Sequence, residues 1–457
     1  MIRADLIVRN GTVVTSRGRG ELDIAISDGR IAAIGARGGL DVSAPDELDA
    51  TGRFVIPGVI DGHVHFRDPG LTHKEDFGSG SEAAVMGGVT TVIDMPNTLP
   101  PTDSVEHARL KAREAASKAW CDVGLMGLVV DGNLPELRPM ADAGLVVGFK
   151  AFLGPTTGGI GRPADGVLLD AMREIASMGM RLGVHAEDGE IVEHEVARLR
   201  AAGRTDPLAH VESRPVIAEV ESIQRVGLFA EATGCAVHAF HVSSREGLEM
   251  VDTWRARGVD YTTEATPHHC FLGAEDMLEL GSRMRINPPV RRRSEGHGDA
   301  LLAGLASGRV TGIGTDHAPH TPEEKLHEDI WQAASGFAGV QTSLALFLTH
   351  GVHAARMTLE QYVRASSEGP ARTWGLYPRK GAIAVGADAD LAIVDLERQD
   401  VIEATRLHGR NPLTPFEGQR TWGAAVATLV RGRVVMRDGE LVGRPQGIVV
   451  GRMAAAP

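Results

Sequence analysis

Eight apolar, strand-length runs, separated by segments that include helix-length ones, occupy the middle of this 457-residue chain. They are GVIDGHVH, TTVIDMPN, DVGLMGLVV, VVGFKAFLG, MRLGVHAED, CAVHAFHVS, DYTTEATPHH and VTGIGTDHA, and the segments between them include helical patterns such as SVEHARLKAREAASKAW and ALLAGLASG. Strand-helix alternation predicts a parallel sheet, and eight units can close into a TIM (β/α)8 barrel. Division by a typical domain length would suggest about three domains, but such a barrel absorbs more than half of this length as one.

The flanks have a different texture. DLIVRNGTVVT and ELDIAISDGRIAAIG near the start, and KGAIAVGADADLAIVDL and AVATLVRGRVVMRDGELV near the end, read as short strands joined by glycine turns. Asn10-Gly11 and Asp28-Gly29 sit between apolar runs, which is a hairpin signal. The two ends are expected to combine into one small β-sandwich domain over 1–55 and 378–457, with the α/β barrel over 56–377. Two unrelated β appendages are the alternative. The tail GRMAAAP is expected to fray.

Net charge is -13, from 60 acidic and 47 basic residues. That argues against a nucleic-acid or anionic-membrane partner. The opening MIRADLIVRNGTVV carries charges and no long apolar run, so neither a signal peptide nor a membrane span is expected. Cys121, Cys235 and Cys270 are few, odd in number and widely spaced, which fits reduced thiols in a cytoplasmic protein.

Polar residues appear where the eight runs end. His63 and His65 close the first run, Lys150 lies towards the end of the fourth, His185 closes the fifth, His241 the sixth and Asp316 the eighth. The C-terminal ends of barrel strands share one face, where barrel enzymes place their sites. His63 and His65 are two apart and point to one side of a strand. A single strand-end histidine is usually structural; four of them converging with Asp316 suit a metal such as zinc. Lys150 lies among apolar neighbours. Alone it would read as an ion-paired or snorkelling lysine. Burial disfavours its ammonium, and a neutral amine can take up carbon dioxide as a carbamate able to bridge two metals. With the other five residues aimed at the same place, the bridge is the better reading.

GVIDGHVHFRDPGLTHKEDF, GGVTTVIDMPNTLPPT, VGFKAFLG, VHAED, HVSS and GTDHAPH together resemble the cyclic amidohydrolases: dihydroorotase, hydantoinase, dihydropyrimidinase and allantoinase. The resemblance covers nearly the whole chain. It implies two divalent ions, expected to be Zn2+, one held by His63, His65, carboxylated Lys150 and Asp316, the other by Lys150, His185 and His241. It implies a small cyclic amide as substrate, and a homo-oligomer, dimer or tetramer, is expected. Two metals sharing a water would acidify it. Asp316 would take the proton and return it to the departing ring nitrogen. His238, three residues from His241, is expected to be a core or supporting histidine.

Within that family Arg67, Asn97, Asn287 and His320 resemble the residues with which dihydroorotase holds its substrate, chiefly through the carboxylate, and an arginine fork suits a carboxylate. Arg67 could instead pair with Asp68 or Glu75. Dihydroorotase is therefore the expected activity. Against it, many bacterial dihydroorotases carry aspartate where Lys150 stands. ESRPVIAEVESIQRV, GNLPELRPMADAG and DIWQAASGFAGVQTSLALFLTHGV also look more like hydantoinases and allantoinases. Those activities are the alternative. A non-catalytic assembly relative is a more distant one, disfavoured because all six ligand positions are filled.

Overall fold

A computed structural model describes residues 2–156 and 159–453; of the expected frayed tail, 454–457 lie outside the described residues. All eight apolar runs contain strands of one parallel sheet, in sequence order: Val59–Val64, Val89–Asp94, Asp122–Leu128, Gly148–Phe152, Arg181–His185, Ala236–Ala239, Tyr261–Ala265 and Gly312–Ile313. The first four are buried along their whole length. Covering both faces of a parallel sheet requires such continuous apolar runs. Helices follow the strands and supply the outer layer. Val105–Lys118 shows why they start and stop where they do: Ser104 Oγ accepts from the His107 amide, Glu106 lies in the first turn and Lys118 in the last.

The sheet curls until its edges meet. The eighth strand is only two residues long, so side chains and loop backbone complete the seam with the first. The His65 amide donates to His317 O at 2.7 Å. Buried Asp61 accepts from the Thr315 amide at 2.9 Å, from Thr315 Oγ1 at 2.5 Å and from the His63 amide at 3.1 Å.

Strands from both ends of the chain join one mixed, curled sheet. Phe54–Pro57 lies between Thr12–Thr15, to which it is parallel, and Leu391–Val401, to which it is antiparallel. A core of Val13, Ile24, Val55, Leu391, Ile393 and Leu429 draws on both ends. The two expected hairpin turns behave differently. Asp28-Gly29, with φ of 51 and 74, joins Gly18–Ser27 to Arg30–Ala36 as a tight hairpin. Asn10-Gly11 does not make one. Leu6–Arg9 and Thr12–Thr15 both pair with Gly18–Ser27, so the dipeptide is a kink in one continuing edge. Asn10 is held there by Asp23 and Asp49, and a Cβ on Gly11 would meet Val55 at 2.6 Å.

A buried ionic cluster ties this sheet to the barrel. Lys380 Nζ lies 2.5 Å from Asp122 at the start of the third barrel strand, 2.6 Å from Asp390 and 3.0 Å from Asp388. Arg431 also pairs with Asp122. Burial opposes the Lys380 charge, but the three carboxylates outweigh it and hold the ammonium above its ordinary pKa. Lys380→Met should destabilise the protein by about 3–5 kcal/mol, because it strands buried carboxylates rather than removing a balanced pair. Urea unfolding measures this, and a loss below about 1 kcal/mol would mean that Arg431 and Arg379, which pairs with Asp388 at 3.0 Å, suffice.

Candidate functional site

At the C-terminal mouth of the barrel lies a small cavity. His63, His65, Lys150, His185, His241 and Asp316, the six expected ligands, all line it. They arrive from five strands. His63 is on the first strand and His65 just beyond it; Lys150 is central in the fourth; His185 ends the fifth. His241 and Asp316 stand two and three residues past the ends of the sixth and eighth. His241, Asp316 and Arg67 take left-handed backbone conformations, with φ of 37, 49 and 62. Such conformations cost roughly 1–3 kcal/mol each and persist only where their surroundings over-determine them.

The donor atoms are crowded. His63 Nε2 lies 3.2 Å from His65 Nε2, 2.9 Å from Lys150 Nζ and 3.4 Å from Asp316 Oδ1; His65 Nε2 is 3.1 Å from Asp316 Oδ1. Each of these rings uses its other nitrogen elsewhere. His63 Nδ1 donates to Glu264 Oε1 at 2.8 Å and His65 Nδ1 to Asn97 Oδ1 at 2.7 Å. Burial holds both imidazoles well below their ordinary pKa, so they are neutral. A neutral ring has one N–H, so both Nε2 atoms present lone pairs to each other across 3.2 Å. That arrangement repels itself and suits a cation placed between the rings.

A second donor pair lies alongside. His185 Nε2 is held by Glu187 at 2.9 Å, which leaves Nδ1 facing His241 Nε2 at 3.0 Å. His241 Nδ1 is buried without a partner among the described residues. Glu187 also pairs with Arg214. Burial works against its charge, but Arg214 and His185 bring its pKa down to about 2. Lys150 sits between the two sets, with Phe240 and Phe152 4.2 and 4.8 Å from its ammonium. Burial pulls its pKa down to about 7, against the opposing pull of Asp316 and Glu264. Burial likewise pushes Asp316 up to about 6. The donor set fits two divalent ions bridged by a carboxylated lysine. Among the described residues, the other close acidic group is Asp122, Asp388 and Asp390, which Lys380 already bridges with Arg431 and Arg379 alongside.

The four expected substrate residues divide. Arg67, Asn97 and Asn287 line the cavity. Asn97 has its carbonyl engaged with His65, so it also orients a donor. Asn287 Oδ1 accepts from Ser335 Oγ at 3.2 Å. His320 is not in the lining. It is buried behind Arg67, with Nε2 3.2 Å from Arg67 Nη2 and 3.1 Å from Ser335 O. Burial, with help from Arg67 and Lys74, keeps it neutral. Arg67 does not pair with Asp68, which Lys118 holds at 2.8 Å, or with Glu75, which accepts from Ser79 and the Arg410 amide. Its Nε has no partner among the described residues, and burial lowers its pKa to about 10, leaving it cationic. His238 is a core histidine bonded to Thr262 Oγ1 at 2.9 Å.

Sequence reasoning missed Glu264, Glu187 and the walls Phe152, Ile286 and Ala318. A carboxylate inside the barrel strand YTTEA was a legible signal, since such residues are seldom buried without a partner.

Comparison with known proteins agrees with this geometry. Residues 54–435 match the Amidohydrolase family. The chain is 39% identical over 442 residues to an L-hydantoinase of Paenarthrobacter aurescens, covering 96% of each. It is also 39% identical over 446 residues to an allantoinase of Rubrobacter xylanophilus, covering 97% of this chain and 96% of the relative. Among solved structures, an L-hydantoinase (dihydropyrimidinase) from Arthrobacter aurescens superposes with a TM-score of 0.95 at 38% identity, covering 98% of this chain and all of that one. A D-hydantoinase from Thermus sp. does so at 0.91 and 31%, covering 98% and 99%. These relatives back the alternative expectation, a hydantoinase or allantoinase, better than the expected dihydroorotase. The Arg67 resemblance is confined to a few residues, whereas the hydantoinase and allantoinase likeness runs through the whole chain. Among the described residues, no helix is long and apolar enough to cross a membrane.

The position of Lys150 generates a test. Its neutral amine becomes abundant as pH rises through about 7, so uptake of zinc by metal-free protein should be slow in carbonate-free buffer and speed up across that range on adding bicarbonate. Zinc content at fixed times reads this out; uptake indifferent to bicarbonate would remove the carbamate.

Proposed function

Because the chain belongs to the amidohydrolase family, in the cyclic amidohydrolase group of hydantoinases, dihydropyrimidinases and allantoinases, we propose that it hydrolyses the ring amide of a five-membered cyclic ureide, a hydantoin or allantoin. The observation that carries the chemistry is the pair of inward-facing lone pairs on His63 and His65 beside Lys150 and Asp316. In this reading His63, His65 and Asp316 would hold one divalent ion and His185 and His241 a second, with carboxylated Lys150 serving both. Zn2+ is the ion we assign. Once bound, the ions would acidify a shared water and polarise the ring carbonyl.

Asp316 faces the cavity beside His65 and is the group placed to take a proton from the attacking water. It returns that proton to the ring nitrogen as the carbon–nitrogen bond breaks, so the ring opens to a ureido acid with one water consumed. Phe152 and Ile286 supply apolar wall, and Asn287 offers an amide to the ring's polar edge. We take 56–377 as the catalytic barrel and 1–55 with 378–457 as the companion β domain. The three cysteines are free and buried, which supports a cytoplasmic setting.

Arg67 favours a second reading. A buried guanidinium in the cavity wall with no carboxylate paired to it among the described residues suits a ring that carries an acid, such as dihydroorotate. The filled ligand set speaks against a non-catalytic assembly protein.

An activity panel of allantoin, substituted hydantoins, dihydrouracil and dihydroorotate separates these readings. Turnover of allantoin or neutral hydantoins is expected; turnover of dihydroorotate alone would reverse the order. Arg67→Met should lower kcat/KM for an acidic ring by about 30- to 1000-fold, the worth of a charge-assisted pair, and by far less for a neutral one. Asp316→Asn should retain much of the metal while kcat collapses, and a variant within a few-fold of wild type would place the proton transfer on another group.

A further inference from the structure

Glu264 lies beneath both sets of metal-facing donors, and the roles assigned above leave it unused. It stands on the seventh barrel strand, Tyr261–Ala265, which contributes none of the six ligands. Its side chain is buried. Oε1 accepts from His63 Nδ1 at 2.8 Å and from the His241 amide at 3.3 Å. Oε2 lies 3.4 Å from His238 Nε2. The backbone helps, because Glu264 O accepts from the Val242 amide at 3.0 Å. Two glycines, one on the first strand and one just past the eighth, leave room for the carboxylate. A Cβ at Gly314 would come within 2.6 Å of its Cδ and Oε2, and one at Gly62 within 3.2 Å of Oε2. Alanine at 314 would displace the group.

We propose that Glu264 is a positioning residue for the whole metal centre, one carboxylate that sets His63 for the first ion and His241 for the second. The inference rests on the two-metal reading above. Its action on His63 is tautomeric: accepting from Nδ1 keeps the proton there and turns the Nε2 lone pair towards Lys150 and Asp316. Its action on His241 is through the backbone. His241 has φ 37, a left-handed conformation that a non-glycine residue seldom adopts unsupported. The Glu264 Oε1 bond to its amide and the Glu264 O bond to the next amide brace that turn, and the turn aims the imidazole at His185.

Glu187 is the natural control. It holds His185 at 2.9 Å and has no bond to His63 or His65. A supporting carboxylate of this kind is worth about 10- to 100-fold in metal affinity. Glu264→Ala should therefore weaken both ions together by about that factor, whereas Glu187→Gln should weaken only the second. Glu264→Gln keeps the shape and one accepting oxygen, so it should weaken both ions together but by less.

The measurement is stepwise Zn2+ affinity by chelator competition, with the visible spectrum of Co2+-substituted protein reporting the geometry at each site. Wild type must first bind two ions; binding fewer would overturn the two-metal reading itself. Given two ions in wild type, a folded Glu264→Ala with both affinities and the Co2+ spectrum unchanged overturns the inference, as does a loss confined to one ion. If Glu264→Ala does not fold, Glu264→Gln decides by the same criteria.

Discussion

The seam between the first and eighth barrel strands is closed largely by one buried carboxylate. A two-residue eighth strand cannot supply a full ladder, and Asp61 replaces it by accepting from the Thr315 amide and hydroxyl and from the His63 amide. The seam is also where the site begins. It brings His63 and His65, from the start of the barrel sequence, to within 3.4 Å of Asp316, some 250 residues later. Closing the barrel and assembling the first donor set are therefore one event. Asp61 is buried, and that burial raises its pKa to about 6 despite the bonds it accepts.

The same exclusion of water sets the protonation of the donors. Burial lowers the pKa of His63, His65, His185, His241 and Lys150. Neutral nitrogens are what a metal or carbon dioxide requires. Specific partners then decide which nitrogen keeps the proton: Glu264 for His63, Asn97 for His65 and Glu187 for His185. Desolvation thus supplies the reactive form and hydrogen bonds supply its direction. Neither alone would give lone pairs that converge.

Much of this was legible in the sequence, for a physical reason. A barrel strand must be apolar along its length, so a polar residue at its end stands out, and one rim collects all eight ends. That logic picked out six residues that line one cavity. It did not find Glu264 or Glu187, because nothing in a one-dimensional pattern says which carboxylate a given imidazole will face. The resemblance of DHAPH to dihydroorotase puts His320 at the substrate, whereas the turn after Ala318 carries the ring behind Arg67. Sequence reasoning read Asn10-Gly11 as a hairpin because local turn chemistry was right; the long partner strand Gly18–Ser27 overrode it by pairing with both neighbours.

The choice of ring was less legible than the chemistry performed on it, and the structure locates the reason. The donors stand on or next to the strands, whose geometry the whole family shares. The walls that meet the rest of a substrate come mostly from the loops beyond: Thr156, Ile286, Asn287, Ala318 and Ser335. Loops carry specificity because they can vary without disturbing the scaffold. Arg67 lies between these two regimes. It is anchored to the first strand by sequence, yet its guanidinium is held by neutral His320 rather than by an acid among the described residues. A buried cation without a carboxylate partner costs stability; Asp316, Asp94, Glu324 and Glu75 favour the Arg67 charge without bonding to it, and so offset that cost only in part.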